Sequence, residues 1–210
     1  MKSGFSPSRL VFASLFAVLL TGCLLKTATV PARHFVLASI QADDSSPAPT
    51  EHASIEIGFI KMPAYLLRDS IAVRNGANEI EYLENALWAE RLDQSFQRAL
   101  MADLYGSPPS DTIHFAETDR KKVIAKIFIN VQQFDVDTEG HGTLIAQWRI
   151  AASDGNESLR SGQTSLARTG IFSRRDPAAI ARTMSELTAE FSHELTRSLS
   201  GAAKAGAVSH

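Results

Sequence analysis

From Thr143 to Ala152 the chain reads as an alternating strand. Leu144, Ala146, Trp148 and Ile150 fall on one side, and Thr143, Gln147 and Arg149 on the other. A period of two over that length belongs to a strand with one buried face and one wet face. The fold must therefore contain a one-sided sheet and something apolar to cover it. Turn chemistry brackets this strand, Glu139-Gly140-His141-Gly142 before it and Asp154-Gly155-Asn156 after it. A β-branched and aromatic-rich run from Lys122 to Val136 precedes it, and a more polar run suited to a sheet edge, Ser158–Leu166, follows. Three strands joined by tight turns predict an antiparallel meander.

The cover comes from helices. From Arg174 to Ser200 the period changes, and Ile180, Met184, Leu187, Phe191, Leu195 and Leu199 form one apolar stripe. Asp176 is placed to cap that helix, Pro177 suits its first turn and Gly201 is placed to end it. Another stripe, Ala89, Leu92, Phe96, Leu100 and Leu104, predicts a helix from about Ala86, ended by Gly106 and Pro108. Ahead of it, Ser54–Lys61 reads as a strand with Ile55, Ile57 and Phe59 on one face, stopped by Pro63. Ser70–Arg74 and Glu79–Leu83 read as short strands across an Asn75-Gly76 turn. The expectation is an α+β domain: an antiparallel sheet with two amphipathic helices packed on one face. Trp88, Phe96, Trp148 and Phe191 are its expected structural anchors, with Trp88 plugging the core where helix meets sheet.

The N-terminus constrains location. Lys2 and Arg9 precede an apolar run from Leu10 to Leu20, about half the roughly 20 residues a spanning helix needs. This is an export signal, and it ends in Leu20-Thr21-Gly22-Cys23. That ending resembles the lipobox of bacterial lipoproteins. The resemblance implies cleavage between Gly22 and Cys23 and acylation of the Cys23 thiol, which ties the protein to membrane lipid. Cys23 is the sole cysteine of 210 residues, so the mature chain has none for a disulfide and must rely on its core. Leu24, not the aspartate of inner-membrane retention, follows it, so the expected destination is the periplasmic face of the outer membrane. The expected organisation is a signal peptide at 1–22 and an acylated tether and linker at 23–52. The tether includes a short strand near 34–40. The α+β domain occupies 53–200, and a disordered tail occupies 201–210.

Catalytic sequence patterns are missing. The chain has no Gly-x-Ser-x-Gly elbow, phosphate loop, His-Glu-x-x-His or cysteine pair. Its six histidines never fall at ligand spacing; His193 sits off the apolar stripe and is expected to be solvated. Asp135 and Asp137 read as charge at a fraying strand end, with a carboxylate pair or metal site as the alternative. The expectation is therefore no catalytic residue, metal or cofactor. With 21 basic and 23 acidic side chains, and with its basic residues in short clusters, the chain is not expected to bind nucleic acid.

One further pattern runs from Ser54 to Leu104. Ile55-Glu56-Ile57-Gly58 leads into Met62-Pro63-Ala64-Tyr65-Leu66, then Arg68, Ile71-Ala72-Val73-Arg74, Tyr82 and Trp88-Ala89-Glu90-Arg91-Leu92. Together with Phe35-Val36-Leu37 and Leu144–Trp148, this resembles the PqiC/YmbA-like family, the auxiliary lipoproteins of ABC-type and MCE-type transport systems. Phe35 lacks the hydroxyl of the family's usual tyrosine, and Arg91 replaces a common proline. The resemblance implies a non-enzymatic auxiliary component of intermembrane lipid transport. Its partners would be an MCE-domain protein and inner-membrane transport components, with a homo-oligomer left open. The alternative is a structural or assembly lipoprotein that moves no lipid. A lipid-anchored periplasmic hydrolase is the rival from the enzyme class. The candidate partner interface is Pro63, Tyr65, Leu66, Arg68 and Arg74. Either arginine can bind a partner carboxylate or lipid phosphate, although internal ion pairs are the commoner use.

Overall fold

The computed structural model describes residues 30–40, 53–106, 113–115, 123–170 and 176–206. The expected signal segment, Gly22, Cys23, the 41–52 linker, Pro108 and tail residues 207–210 lie outside these. In chain order the elements are β1 (Arg33–Phe35), β2 (Ala53–Lys61), a 3₁₀ turn (Ala64–Leu67), β3 (Ser70–Asn75) and β4 (Glu79–Trp88). Then come α1 (Leu92–Gly106), β5 (Ile113–Phe115), β6 (Val123–Asp137), β7 (His141–Ala152), β8 (Ser158–Thr169) and α2 (Pro177–Gly206). The class is α+β.

The expected meander is present as β6, β7 and β8. β7 pairs antiparallel with β6 from Ala125↔Ala152 to Val136↔Gly142, and with β8 along its other edge. The even-numbered residues of β7 face the helices: a Cβ on Gly142 would come within 2.5 Å of Thr183 Cγ2 on α2. Leu144, Ala146 and Ile150 on that face are wholly buried. The α2 stripe meets them, with Leu187, Phe191 and Leu195 fully buried. Asp176 caps this helix, its Oδ1 accepting from the Ala178 amide at 3.0 Å. Gly201 does not end it. The backbone stays helical through Gly206, because a lone glycine costs a helix only about 1 kcal/mol and the flanking alanines favour continuation.

The rest of the sheet is mixed, where an antiparallel sheet was expected. β6 is 15 residues long and offers its second edge to two strands in succession. β2 runs parallel to it over Val123–Asn130, and β3 runs parallel to it at Val136 and Asp137. β4 then pairs antiparallel with β3, β1 parallel with β4, and β5 parallel with β2. The strand β5 had no counterpart in the sequence patterns.

Three local expectations fail for physical reasons. Phe59 does not share a face with Ile55: a register shift between Ile57 and Ile60 turns it outward, leaving it 57% exposed. The helix expected from Ala86 starts only at Leu92. Ala86 and Trp88 are buried as alternate residues of β4, where β1 pairs with them, and Ala89 is exposed. The strand expected over 34–40 stops at Phe35. Beyond it the chain crosses the helices as a strap, with Leu37 wholly buried. The compact body thus begins at Ala32.

Candidate functional site

Where β2 leaves β6 and β3 has not yet joined it, no strand among the described residues pairs with Val131–Asp135 on that edge. The 3₁₀ turn after Pro63 occupies the gap. Pro63 fixes the entry, its carbonyl accepting from the Leu66 amide at 3.0 Å, and Leu66 is buried. Tyr65 then reaches Asp135, donating its hydroxyl to Oδ2 at 2.7 Å. Arg74, near the end of β3, grips the same carboxylate. Its Nε lies 3.0 Å from Oδ1 and its Nη2 2.6 Å from Oδ2. Arg74 Nη2 also donates to the Tyr65 hydroxyl at 3.1 Å, and Gln133 donates to Asp135 Oδ1 at 2.9 Å.

This arrangement is a clamp. Asp135 is 1% exposed, and a buried carboxylate is tolerable only when its oxygens are satisfied. Here both oxygens accept from two or more donors. Burial, followed by the hydrogen bond to Asp135, raises the Tyr65 pKa far above its ordinary value, so the phenol stays a neutral donor. The Asp135 hydrogen bonds raise the already high pKa of Arg74 further, so its guanidinium stays charged. A locked donor, a locked cation and a saturated carboxylate hold strands together. The expectation that Asp135 is charge at a fraying strand end is therefore corrected. The available signal was its position between Phe134 and Val136, both buried.

The five candidate interface residues do come together around this crossover, in different states. Leu66 is buried, Pro63 and Tyr65 half-buried, and Arg74 committed to Asp135. Arg68 is exposed and lies over the Tyr82 ring, 4.8 Å from its centroid. Tyr82 in turn donates to the Tyr65 carbonyl at 3.2 Å. Among the four aromatic anchors, Phe96 and Phe191 are wholly buried and stacked with centroids 6.2 Å apart; Trp88 and Trp148 are nearly so. Trp148 donates from Nε1 to Thr164 at 3.0 Å and lies flat on Gly162, where a Cβ would come within 2.5 Å of the indole.

A second polar cluster escaped the sequence patterns: the fixing of the strap. Ser95 Oγ accepts from the Leu37 amide at 3.0 Å, and Ser185 Oγ from the Ala38 amide at 3.1 Å. Asp103 accepts from the Ser39 hydroxyl at 2.6 Å and the Ile40 amide at 3.2 Å. Arg98 donates to the Leu37 carbonyl at 3.0 Å. Burial raises the Asp103 pKa, against the opposing hydrogen bonds from Ser39 and Ile40 and the nearby charge of His193. Among the described residues no group of histidine, cysteine and carboxylate side chains could hold a metal ion. None of the described helices is long and apolar enough to cross a membrane.

Comparison with known proteins gives a family. Residues 35–196 match the ABC-type transport auxiliary lipoprotein component family, and the chain belongs to it. Two crystal structures share the fold. One, of a protein from Xanthomonas campestris, has a TM-score of 0.64 at 14% identity and covers 85% of this chain and 100% of its own. The other, of an uncharacterized protein, has a TM-score of 0.64 at 15% identity and covers 81% and 99%. A search of curated proteins found no match.

Proposed function

We propose that this ABC-type transport auxiliary lipoprotein serves an MCE-type intermembrane lipid transport system as a non-enzymatic docking component. In this reading it is acylated at Cys23 and held at the periplasmic face of the outer membrane. The family match across residues 35–196 carries the reading. The lipobox-like ending at Cys23 adds the anchor, since two or more acyl chains hold a protein stably where one holds it marginally. The site chemistry supports docking over catalysis, because the polar centre at Asp135 is saturated by fold contacts. Within the candidate interface, Arg68 is the charge presented outward, while Arg74 works internally.

The experiment pairs co-purification with membrane-barrier complementation in the same strains. Wild type is expected to capture an MCE-domain protein and restore the barrier. Cys23→Ser is expected to lose palmitate incorporation and complementation. Arg68→Glu is expected to weaken capture while leaving the domain folded. Capture of outer-membrane assembly proteins in place of transport components would overturn the lipid transport role.

A further inference from the structure

β8 pairs with β7 alone among the described residues, and none of these covers its outer edge. The phase of the ladder is set by the Gly170 amide, which donates to the Gly140 carbonyl at 2.8 Å beside the His141↔Thr169 pair. Residues two apart share a direction in an antiparallel ladder. The even-numbered residues of β8 therefore bond β7, and the N–H and C=O groups of Ser161, Gln163, Ser165 and Ala167 point to the free edge. All four residues are exposed. Sheet edges are ordinarily blunted by proline, lysine, inward charge or a bulge. These four carry no charge and no proline, and the register here is unbroken from Gly142↔Arg168 to Ile150↔Arg160. The other long outer edge, that of β4, is covered by β1 at Ala86–Trp88, and its pairing with β3 is irregular between Tyr82 and Leu87.

A groove reaches the same edge. It has a volume of about 430 Å³ on the helix-free face and is lined by Phe59, Phe128, Gln147, Arg149, Ser161 and Gln163 among others. The bulge in β2 places exposed Phe59 there, its ring 5.2 Å from that of Phe128. Arg149 lies over Phe128 at 4.4 Å and donates to the Gly155 carbonyl. It pairs with no carboxylate among the described residues, and no carboxylate lines the groove. Arg160, opposite Ile150 in the next register position, turns to the helix-covered face and donates to the Ser198 carbonyl. Arg168, on the same face as Arg160, is taken by Glu186 and Glu190 on α2.

We propose that the β8 edge is a strand-addition site for an extended segment of a partner protein, apolar at alternate positions and acidic near its Ser161 end. Its backbone pairs with Ser161–Ala167, its apolar side chains enter the groove beside the phenylalanines, and its carboxylate meets Arg149. Main-chain bonds supply affinity in such pairing, and the side-chain pockets supply selectivity. That the partner is a transport component rests on the function proposed above; the edge chemistry stands apart from it.

The test uses the full-length chain in its native envelope. Gln163→Cys is labelled with a bulky maleimide after the outer membrane is permeabilised, and again after extraction and purification. Labelling is expected to be about tenfold slower in the envelope, and the protection is expected to vanish when Ser165→Pro is added, but not Ser165→Ala. The Ser165 amide bonds nothing among the described strands, so proline blocks the edge at little cost to the fold. Arg149→Gln, which leaves the edge backbone intact, is expected to weaken the protection as well. Equal labelling before and after extraction would overturn the proposal. Protection that disappears on dilution of the purified chain would identify a second copy as the occupant and overturn it too. Protection sensitive to Ser165→Pro in strains where no MCE-domain protein is captured would sustain the edge site and reject the transport role.

Discussion

The two halves of the sheet are built on different principles. In the meander of β6, β7 and β8, each strand follows its neighbour in sequence and the register runs nearly unbroken. Alternation alone tells each residue where to point. In the other half, β2 and β3 share one edge of β6, β1 returns to β4 from the N-terminus, and β2 and β4 carry register shifts. Local patterns do not specify such joins. They are held by side-chain contacts of long sequence separation: Tyr65 to Asp135, Arg74 to Asp135 and the strap bonds to Ser95, Ser185 and Asp103. The regular half rests on apolar burial spread over many residues. The irregular half concentrates its specificity in a few polar groups, as expected where register is weakly encoded.

The largest test of that contrast lies on the helix covering the meander. Phe191→Ala is expected to cost roughly 3–5 kcal/mol in urea unfolding, as a fully buried ring leaving a cavity. A cost below about 1 kcal/mol would mean that the helix-to-sheet packing is not the main support of that half. Next is the clamp. Arg74→Met is expected to cost about 3 kcal/mol by leaving Asp135 buried without its cation. Adding Asp135→Leu should recover more than half of that loss, because it removes the stranded charge. If the double variant were as unstable as the single, the clamp would owe its value to shape and not to charge.

A smaller effect is expected at Gly162. Alanine there places a Cβ against an indole already tied to Thr164, and such overpacking costs about 1–3 kcal/mol. The Trp148 fluorescence should shift with it. Smallest is Asp103→Asn in the strap. Burial raises the folded-state pKa of Asp103 above its ordinary 3.8. Its contribution to stability is thus fully present in acid and is lost as pH rises through the folded value. Asparagine keeps an acceptor for Ser39 and Ile40 without the buried charge, so the variant should be the more stable near neutral pH. The gap should close below pH 3.8. A variant destabilised near neutral pH but not in acid would mean that the strap needs the ionised carboxylate.

Legibility followed the same division. The α2 stripe, its Asp176 cap and the inward row of β7 stand where periodicity placed them, because each is a repeat of one local rule. The start of α1 was misplaced since Ala86, Trp88 and Ala89 suit either period, and the pairing of β1 with β4 decided for strand. Phe59 left its expected face because a bulge changes the parity of a strand without any mark in hydrophobicity. Of the candidate site, Pro63, Tyr65 and Arg74 were legible as a group. Asp135, the residue that explains them, was not, because it follows Arg74 by 61 positions.

What the amino-acid sequence determined by itself is the α+β class, the meander, the covering helix and the family, each carried by patterns short enough to be read along the chain. Only the tertiary structure decided that β2 and β3 divide one edge of β6, that Arg74 turns inward while Arg68 stays out, and that among the described residues β8 pairs on one side only. The physical reason is that these depend on which groups far apart in sequence satisfy one another after burial. A carboxylate in a strand is solvated charge or the centre of a clamp according to what folds over it.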